Sequence, residues 1–193
     1  MKKPDILAAL EPVAKTFDEL GVQYYVGGSV ASSAYGIARA TLDVDIVSDL
    51  KLPHVSPMVE MLKASYYIDK DMILEAIDSR SSFNVIHLDT MIKVDVFVVG
   101  DTPYDIETLK RKRKDTLDDE QETEFYLGSP EDVILNKLKW FRMGGNVSEQ
   151  QWRDVLGVLK VQEGLLDTEY LRHWGAALGL TGLLEEALRD AGL

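Results

Sequence analysis

Apolar residues recur at helical spacing at the start of the chain and form short apolar runs further on. The helical spacing from Pro4 to Leu20 predicts a first helix, which Gly21 ends. Val22 to Val26 is rich in tyrosine and valine and therefore predicts a strand. A Gly-Gly-Ser turn, a short helix closed by Gly36 and a second apolar strand ending at Val47 are expected to follow.

The middle of the chain predicts shorter elements in quick succession. Helices are predicted over Pro57 to Lys63, Asp69 to Ile77 and Tyr104 to Lys114. Strands are predicted over Tyr66 to Ile68, Phe83 to Leu88, Met91 to Val98 and, as an edge strand, Glu122 to Leu127. The dipeptide Asp89-Thr90 lies between two of these strands and predicts a two-residue hairpin.

The composition shifts near Gly128, after which the pattern is helical throughout. Ser129 is a suitable N-cap and Pro130 suits the first position of a helix that runs to about Met143. Further helices are predicted over Ser148 to Gln162, Thr168 to Leu178 and Gly182 to Ala191. The expected fold class is α/β (α+β). A small mixed-sheet core flanked by helices spans residues 1–128, and a helical subdomain over 129–193 packs on that core.

Cysteine content, apolar run length and net charge exclude or disfavour several classes of function. The chain has 193 residues and no cysteine, so disulfides and thiolate metal sites are excluded. No apolar run reaches the roughly 18 residues of a membrane span, and we expect a cytoplasmic protein. The net charge of −12 disfavours bulk binding of DNA or RNA. The basic run from Lys110 to Lys114 either contacts RNA phosphates locally or forms a solvated face.

Two neighbouring motifs carry candidate chemistry. In Gly27-Gly28-Ser29, the glycines allow a tight turn close to a ligand, and Ser29 is predicted to cap a helix whose free N–H groups face an anion. Asp43 and Asp45 are two positions apart on a strand and so project from one face. Two adjacent carboxylates repel each other unless a cation lies between them, so the pair indicates a divalent metal.

The turn, thirteen intervening residues and Asp43-Val44-Asp45 together resemble the signature of the nucleotidyltransferase superfamily, which has the polymerase-beta-like fold. The version with Arg39 and Thr41 before the aspartates is most similar to the AbiEii-type toxin and abortive-infection enzymes. The resemblance covers about Val22 to Val98 well and Gly128 to Val155 moderately.

The resemblance implies a metal-binding triad of Asp43, Asp45 and Asp95 that holds one or two Mg²⁺ ions. Strand alternation puts Asp95 on one face with Lys93, in an otherwise apolar strand, and the resemblance gives Asp95 the role of helping to deprotonate the attacking hydroxyl. The other interpretation is that these acids end strands or face solvent, as acids usually do.

The resemblance also implies a set of nucleotide-binding residues: Gly27, Gly28, Ser29, Arg39, Thr41, Lys137 and Asp154. For Lys137, a helix-surface role is the alternative, and the nearby Lys139 is a second candidate for the same position. Asp154 belongs to an Arg-Asp pair that the family usually follows with a second acid, where this chain has Gly157. The alternatives to nucleotide binding are that Arg39 is a solvated loop residue and that Thr41 begins a strand.

The predicted function is transfer of a nucleoside monophosphate from a nucleoside triphosphate to an acceptor hydroxyl. The acceptor is an RNA end, such as a tRNA 3′ terminus, if the toxin resemblance is close, and an antitoxin protein is then an expected partner. A small-molecule hydroxyl is the acceptor if the resemblance extends only to the superfamily. The alternatives are a non-catalytic nucleotide-binding domain that acts through a partner protein and, as a weaker one, a phosphohydrolase that uses the same acids.

Overall fold

The computed structural model describes residues 4–116 and 124–193. These residues form nine helices: α1 (Asp5–Leu20), α2 (Gly28–Tyr35), α3 (Leu52–Leu62), α4 (Lys70–Ser79), α5 (Pro103–Arg111), α6 (Pro130–Met143), α7 (Glu149–Val161), α8 (Thr168–Ala177) and α9 (Thr181–Ala191). The predicted mixed α/β class is confirmed. None of the helices in these two ranges combines the length and the apolar character needed to cross a membrane.

The strands of the described residues form one mixed sheet. They are β1 (Tyr24–Val26), β2 (Asp43–Ser48), β3 (Tyr66–Tyr67), β4 (Ser82–His87), β5 (Lys93–Val98), β6 (Arg113–Thr116) and β7 (Glu124–Leu127). Their order across the sheet is β3-β4-β5-β2-β1-β7-β6. Strand β2 pairs in parallel with β5 and antiparallel with β1, so two acid-bearing strands are direct neighbours.

Alternation along β2 and β5 divides the sheet into two unlike faces. Val44, Ile46, Val94 and Val96 are fully buried on one face, and α1 contacts both strands. The intervening positions carry the acids on the opposite face. The apolar half of each strand therefore stabilises the sheet, whereas the polar half is available for chemistry.

Four predicted elements are wrong in detail. The helix predicted to begin at Pro57 begins at Leu52. The last strand, expected at an edge, lies between β1 and β6, and its predicted residues 122 and 123 lie outside the described part of the chain. The helix expected to reach Lys114 ends at Arg111, and the rest of the basic run enters β6. The predicted two-residue hairpin is a longer loop over 88–92, in which Met91 has a φ of 58°.

The basic run has internal partners. The Lys112 ammonium donates a hydrogen bond to the Gln23 side-chain oxygen at 2.5 Å and lies 4.2 Å from the centre of the Tyr126 ring. Lys114 forms an ion pair with Glu124. Much of the charge that could contact RNA is thus used within the fold.

The chain separates into two compact units. The first contains residues up to Gly27 and the range Thr41–Leu127, and the second contains Gly28–Ala40 and Gly128–Leu193. Helix α2 therefore belongs to the second unit, where it packs against α6 and α7. The predicted domain boundary at residue 128 stays a prediction.

Glycines bring α2 and α7 together in the second unit. A Cβ on Gly36 would lie 2.8 Å from the Val158 backbone nitrogen, which is closer than side chains tolerate. A Cβ on Gly157 would lie 3.3 Å from the Ile37 backbone nitrogen. A side chain at position 157, where the resemblance expects a second acid, would require Ile37 to shift by a few tenths of an ångström.

The start of α6 forms as its sequence predicts. The Ser129 hydroxyl accepts a hydrogen bond from the Asp132 N–H, and Pro130 occupies the first turn. The buried acids of that turn have partners in the second unit: the Asp167 N–H donates to Glu131 at 2.9 Å, and the Tyr170 hydroxyl donates to Asp132 at 2.7 Å. This network fixes the helix that carries Lys137.

Candidate functional site

The first unit carries an acidic cluster, defined here as Asp43, Asp45 and Asp95. In the parallel pairing of β2 with β5, Asp45 lies opposite Asp95 and Asp43 lies opposite Lys93. Residues opposite each other in neighbouring strands share a face, so all four side chains emerge on the polar face of the sheet. The register therefore sets the three acids on one face of two adjacent strands, and their role as a metal-binding triad stays a prediction.

Lys93 lies inside this cluster. Its ammonium nitrogen is 2.7 Å from Asp95 Oδ2 and 3.9 Å from Asp43 Oδ1, so one cation is shared by two of the three carboxylates. The hydrogen bond to Asp95 is the main cause of a raised pKa of the Lys93 ammonium, and the charges of all three aspartates add to it. The cluster already attracts a positive charge.

The donor set of the acidic cluster suits a hard divalent cation. Carboxylate oxygens are the ligands that Mg²⁺ takes in proteins, and two of these carboxylates lie within 4 Å of the same Lys93 ammonium. No group of three or more carboxylate, imidazole or thiolate side chains in the described ranges is arranged as a ready metal cage. The fit to the ion therefore rests on the oxygen chemistry of the three side chains and on their shared face.

The Gly27-Gly28-Ser29 turn joins β1 to α2. The Gly27 N–H donates a hydrogen bond to the Asp45 backbone carbonyl at 2.8 Å, which holds the end of β1 against the acid-bearing strand. Gly28 has a φ of 53°, a left-handed conformation that glycine adopts without a steric penalty. Helix α2 begins at Gly28, so the predicted N-cap role of Ser29 is wrong and this serine lies in the first turn.

The second unit carries a paired cluster, defined here as Arg39, Lys137 and Asp154. The Arg39 guanidinium binds the Asp154 carboxylate through two nitrogens, each 3.1 Å from its oxygen. One of these nitrogens also donates to the Ser29 hydroxyl. The turn residue and the arginine predicted for nucleotide binding are thus in direct contact.

Lys137 completes the paired cluster from α6. Its ammonium lies 2.6 Å from Asp154 Oδ2, and both side chains are only 7% exposed. Desolvation by burial acts to raise the pKa of the Asp154 carboxyl, but the hydrogen bonds from Arg39 and Lys137 outweigh it and the pKa lies below its ordinary value. Two cations share one anion, so the cluster keeps a net positive charge beside Ser29.

The structure shows which lysine and which arginine belong to the paired cluster. Lys137 is buried in the paired cluster, whereas Lys139 is half-buried with no part in it. Arg153, the sequence neighbour of Asp154, is exposed and pairs instead with Glu149 at 3.0 Å. The arginine that holds Asp154 comes from a position 115 residues earlier.

Thr41 lies between the two motifs. Its hydroxyl donates to the Asp43 backbone carbonyl at 3.2 Å and lies 3.4 Å from the Asp43 N–H. These local contacts give Thr41 a part in shaping the start of β2. A nucleotide contact by Thr41 stays a prediction.

Two features of these clusters were missed from sequence. Lys93 was recognised only as sharing a face with Asp95, and its ion pair with two acids was not expected. The same alternation, together with the parallel register, would have indicated it. The bidentate pairing of Arg39 with Asp154 has no local sequence signal, because it joins residues far apart in the chain.

Solved structures of other proteins resemble this chain over most of its length. The antibiotic-resistance factor ANT(2'')-Ia matches with a TM-score of 0.58 and 14% identity, over 96% of this chain and 98% of its own. The lincosamide antibiotic adenylyltransferase LnuA matches with a TM-score of 0.53 and 14% identity, over 83% and 98%. An antigenic nucleotidyltransferase-like protein from Paracoccidioides brasiliensis gives 0.54 and 14%, over 92% and 91%.

The chain has the nucleotidyltransferase fold. No protein-family model matches the sequence, and no curated protein matches it significantly. The predicted nucleotidyltransferase resemblance is confirmed at the level of the fold, while the AbiEii-type branch stays a prediction. On this nucleotidyltransferase fold, both charged clusters come from residues that the sequence motifs singled out.

Proposed function

We propose that this protein is a Mg²⁺-dependent nucleotidyltransferase that moves a nucleoside monophosphate from a nucleoside triphosphate to an acceptor hydroxyl. The register that sets Asp45 of β2 opposite Asp95 of β5, with Asp43 on the same face, is the observation that carries the proposal. The nucleotidyltransferase fold supports it independently of those residues. The three carboxylates repel one another, and the single charge of Lys93 offsets only part of that repulsion.

The acidic cluster is assigned to the metal and to the acceptor proton. Asp43, Asp45 and Asp95 would hold one or two Mg²⁺ ions through their carboxylate oxygens. Bound Mg²⁺ supplies charge neutralisation on the phosphate oxygens of an in-line displacement. Asp95, less exposed than Asp43 at 21% against 58%, is suited to accept the proton of the attacking hydroxyl.

The turn and the paired cluster are assigned to the triphosphate. Gly27 and Gly28 offer backbone close to a ligand, and Ser29 lies in the first turn of α2 with a hydroxyl that Arg39 contacts. Lys137 and Arg39 carry two positive charges against the single charge of Asp154, which favours binding of an anion. Thr41 would position the strand that bears the acids.

The proposed reaction is a single displacement at phosphorus. The acceptor oxygen forms a bond to the α-phosphorus while the bond from that phosphorus to the oxygen bridging the β-phosphate breaks. Pyrophosphate leaves with the electron pair of the broken bond, and the acceptor proton passes to the Asp95 carboxylate and then to solvent. Positioning of the two reactants is the main contribution of the protein, because the step needs no covalent intermediate.

A small-molecule hydroxyl is the acceptor that we favour. The net charge of −12 opposes a long polyanion, and Lys112 and Lys114 are engaged within the fold. Two of the resembling structures are an antibiotic-resistance factor and an antibiotic adenylyltransferase, according to their names. An RNA or tRNA end, with a toxin role and an antitoxin partner, is the second candidate, supported by the spacing of Arg39 and Thr41 before Asp43.

The test is transfer of label from each of the four α-labelled triphosphates. Purified protein is incubated with Mg²⁺ and with either total RNA or a panel of hydroxylated small molecules, and labelled product and pyrophosphate are measured. Asp45→Ala is expected to abolish transfer, whereas Asp101→Ala, an exposed acid paired with Arg80, is expected to keep it.

The outcomes separate the alternatives. Label on a small molecule supports the favoured acceptor, and label on RNA ends supports the toxin-like one. Triphosphate binding without transfer to either acceptor would instead identify a non-catalytic nucleotide-binding domain. Release of free monophosphate alone would identify a phosphohydrolase.

A further inference from the structure

Lys93 is placed by the sheet beside the acids. It lies two residues before Asp95 on β5 and opposite Asp43 on β2, so its side chain shares their face. On its other side, β4 sets Ile86 opposite Lys93 and Asn84 opposite Asp95, and neither carries a charge. The charged groups that neighbour Lys93 along this register are therefore the carboxylates of the acidic cluster.

The ammonium group lies within 4 Å of two of the three carboxylates. It is 2.7 Å from Asp95 Oδ2 and 3.9 Å from Asp43 Oδ1, and the charge of Asp45 also acts on it. A divalent ion coordinates a carboxylate oxygen at about 2.0–2.1 Å. The same side of the Asp95 carboxylate cannot donate its lone pairs to such an ion and accept the ammonium hydrogen bond at once.

The charges of the group indicate which cation it prefers. Three carboxylates and one ammonium leave two negative charges, so Lys93 offsets only part of the mutual repulsion. A monovalent side chain thus holds the acids together without neutralising them, and a divalent ion would neutralise them more fully.

We propose that the Lys93 ammonium holds the place of a divalent cation beside Asp95, and that the ion binds by displacing it. This inference rests on the proposed function, because it assumes that the acidic cluster binds a metal. Lys93 is then a positioning residue that keeps the carboxylates close together before metal arrives and lowers the affinity for the metal. Removing its charge tightens divalent binding, which is the opposite of what loss of a ligand does.

The test measures Mn²⁺ binding to the full chain at neutral pH without nucleotide, from the electron paramagnetic resonance signal of free Mn²⁺. Lys93→Met removes the charge and keeps an apolar stem, and the apparent Kd is expected to fall about fivefold. Lys93→Gln is a second charge-removing variant with the same expectation. Lys93→Arg keeps the charge and is expected to bind Mn²⁺ no more tightly than the natural chain.

Lys51→Met is the matched control, since Lys51 pairs with Asp49 in the same unit and has no contact with the acidic cluster. It is expected to leave the Mn²⁺ affinity unchanged. Asp95→Ala is expected to remove most Mn²⁺ binding in the natural chain and in Lys93→Met alike. Circular dichroism of each variant verifies that the fold is kept.

The outcomes distinguish this inference from the proposed function. Equal or weaker Mn²⁺ binding in folded Lys93→Met and Lys93→Gln would overturn the role of Lys93. Mn²⁺ binding to the natural chain that depends on Asp95 would still support the proposed metal site. Absence of Asp95-dependent Mn²⁺ binding in every variant would overturn both.

Discussion

The acidic cluster and the paired cluster differ in exposure and in the sign of their net charge. Asp43, Asp45 and Asp95 with Lys93 leave an excess of negative charge on an open sheet face. Arg39, Lys137 and Asp154 leave an excess of positive charge among largely buried side chains. One arrangement suits a cation that arrives from solvent, and the other suits a phosphate beside the turn that carries Ser29.

The difference in burial also separates function from stability. Exposed ion pairs contribute little to stability because water and salt screen them. A buried ion pair is costly to break, since the partner left behind keeps its charge without solvation. Loss of a side chain should therefore mainly affect chemistry in the acidic cluster and should strongly affect folding in the paired cluster.

Asp95→Ala is expected to give the largest effect. Loss of the proposed metal ligand and proton acceptor should lower kcat/KM for nucleotidyl transfer by about 10³-fold, equivalent to roughly 4 kcal/mol in the transition state. The midpoint of urea unfolding should change little. Steady-state kinetics and urea titration of the same preparation check both parts. A large fall in the urea midpoint would show that the acidic cluster also stabilises the fold, contrary to the contrast drawn above.

Asp154→Ala is expected to act mainly on stability. It leaves the Arg39 and Lys137 charges without their shared partner, so the free energy of unfolding should fall by about 3 kcal/mol. Urea unfolding followed by circular dichroism measures the loss. A change smaller than that of a surface acid such as Asp101→Ala would show that the paired cluster is not held by this carboxylate.

The stability contributed by Asp154 is expected to depend on pH. Because the pKa of Asp154 is lower in the folded protein, its contribution to stability is present above about pH 4, the ordinary carboxyl pKa, and is lost as the pH falls through the folded value. The gap in unfolding free energy between the natural chain and Asp154→Asn should stay constant from pH 7 to about pH 5 and narrow below about pH 4. Urea titrations across this range measure it, and a gap that widens on acidification would contradict the sign.

Arg153→Ala is expected to have the smallest effect. Arg153 is 78% exposed and pairs only with exposed Glu149, so the free energy of unfolding should change by less than about 0.5 kcal/mol. Arg39→Ala, by contrast, should lose part of the stability that Asp154→Ala loses. If the Arg153 variant proved the more damaging in urea titration, the assignment of Arg39 as the partner of Asp154 would be wrong.

Sequence patterns predicted the parts of the fold that depend on near neighbours. Alternation in β2 and β5 gave the face of each aspartate, and Ser129 with Pro130 gave the start of α6. The central position of β7 and the strand formed by Arg113–Thr116 were missed, because strand pairing depends on distant partners and because a basic run has low strand propensity.

The candidate site was predictable as residue types and less so as contacts. All the residues of the paired cluster were named from motifs, but the bond from Arg39 to Asp154 joins α7 to a segment far upstream. Arg153, the neighbour of Asp154 in the sequence motif, pairs with Glu149 instead. Helical geometry turns adjacent residues to different sides, so Arg153 faces solvent while Asp154 faces the cluster.

Residues 28–40 belong to the second unit although they lie between two stretches of the first. This arrangement limits how the second unit can be exchanged by recombination. The backbone passes between the two units at 27/28, at 40/41 and again at 127/128. Recombination with a homologous gene at a single breakpoint near codon 128 would transfer α6 to α9 but leave behind their original α2, with the Gly36 surface fitted to another α7. Exchange of the helical unit between such genes is therefore expected to require matched variation at both sequence segments.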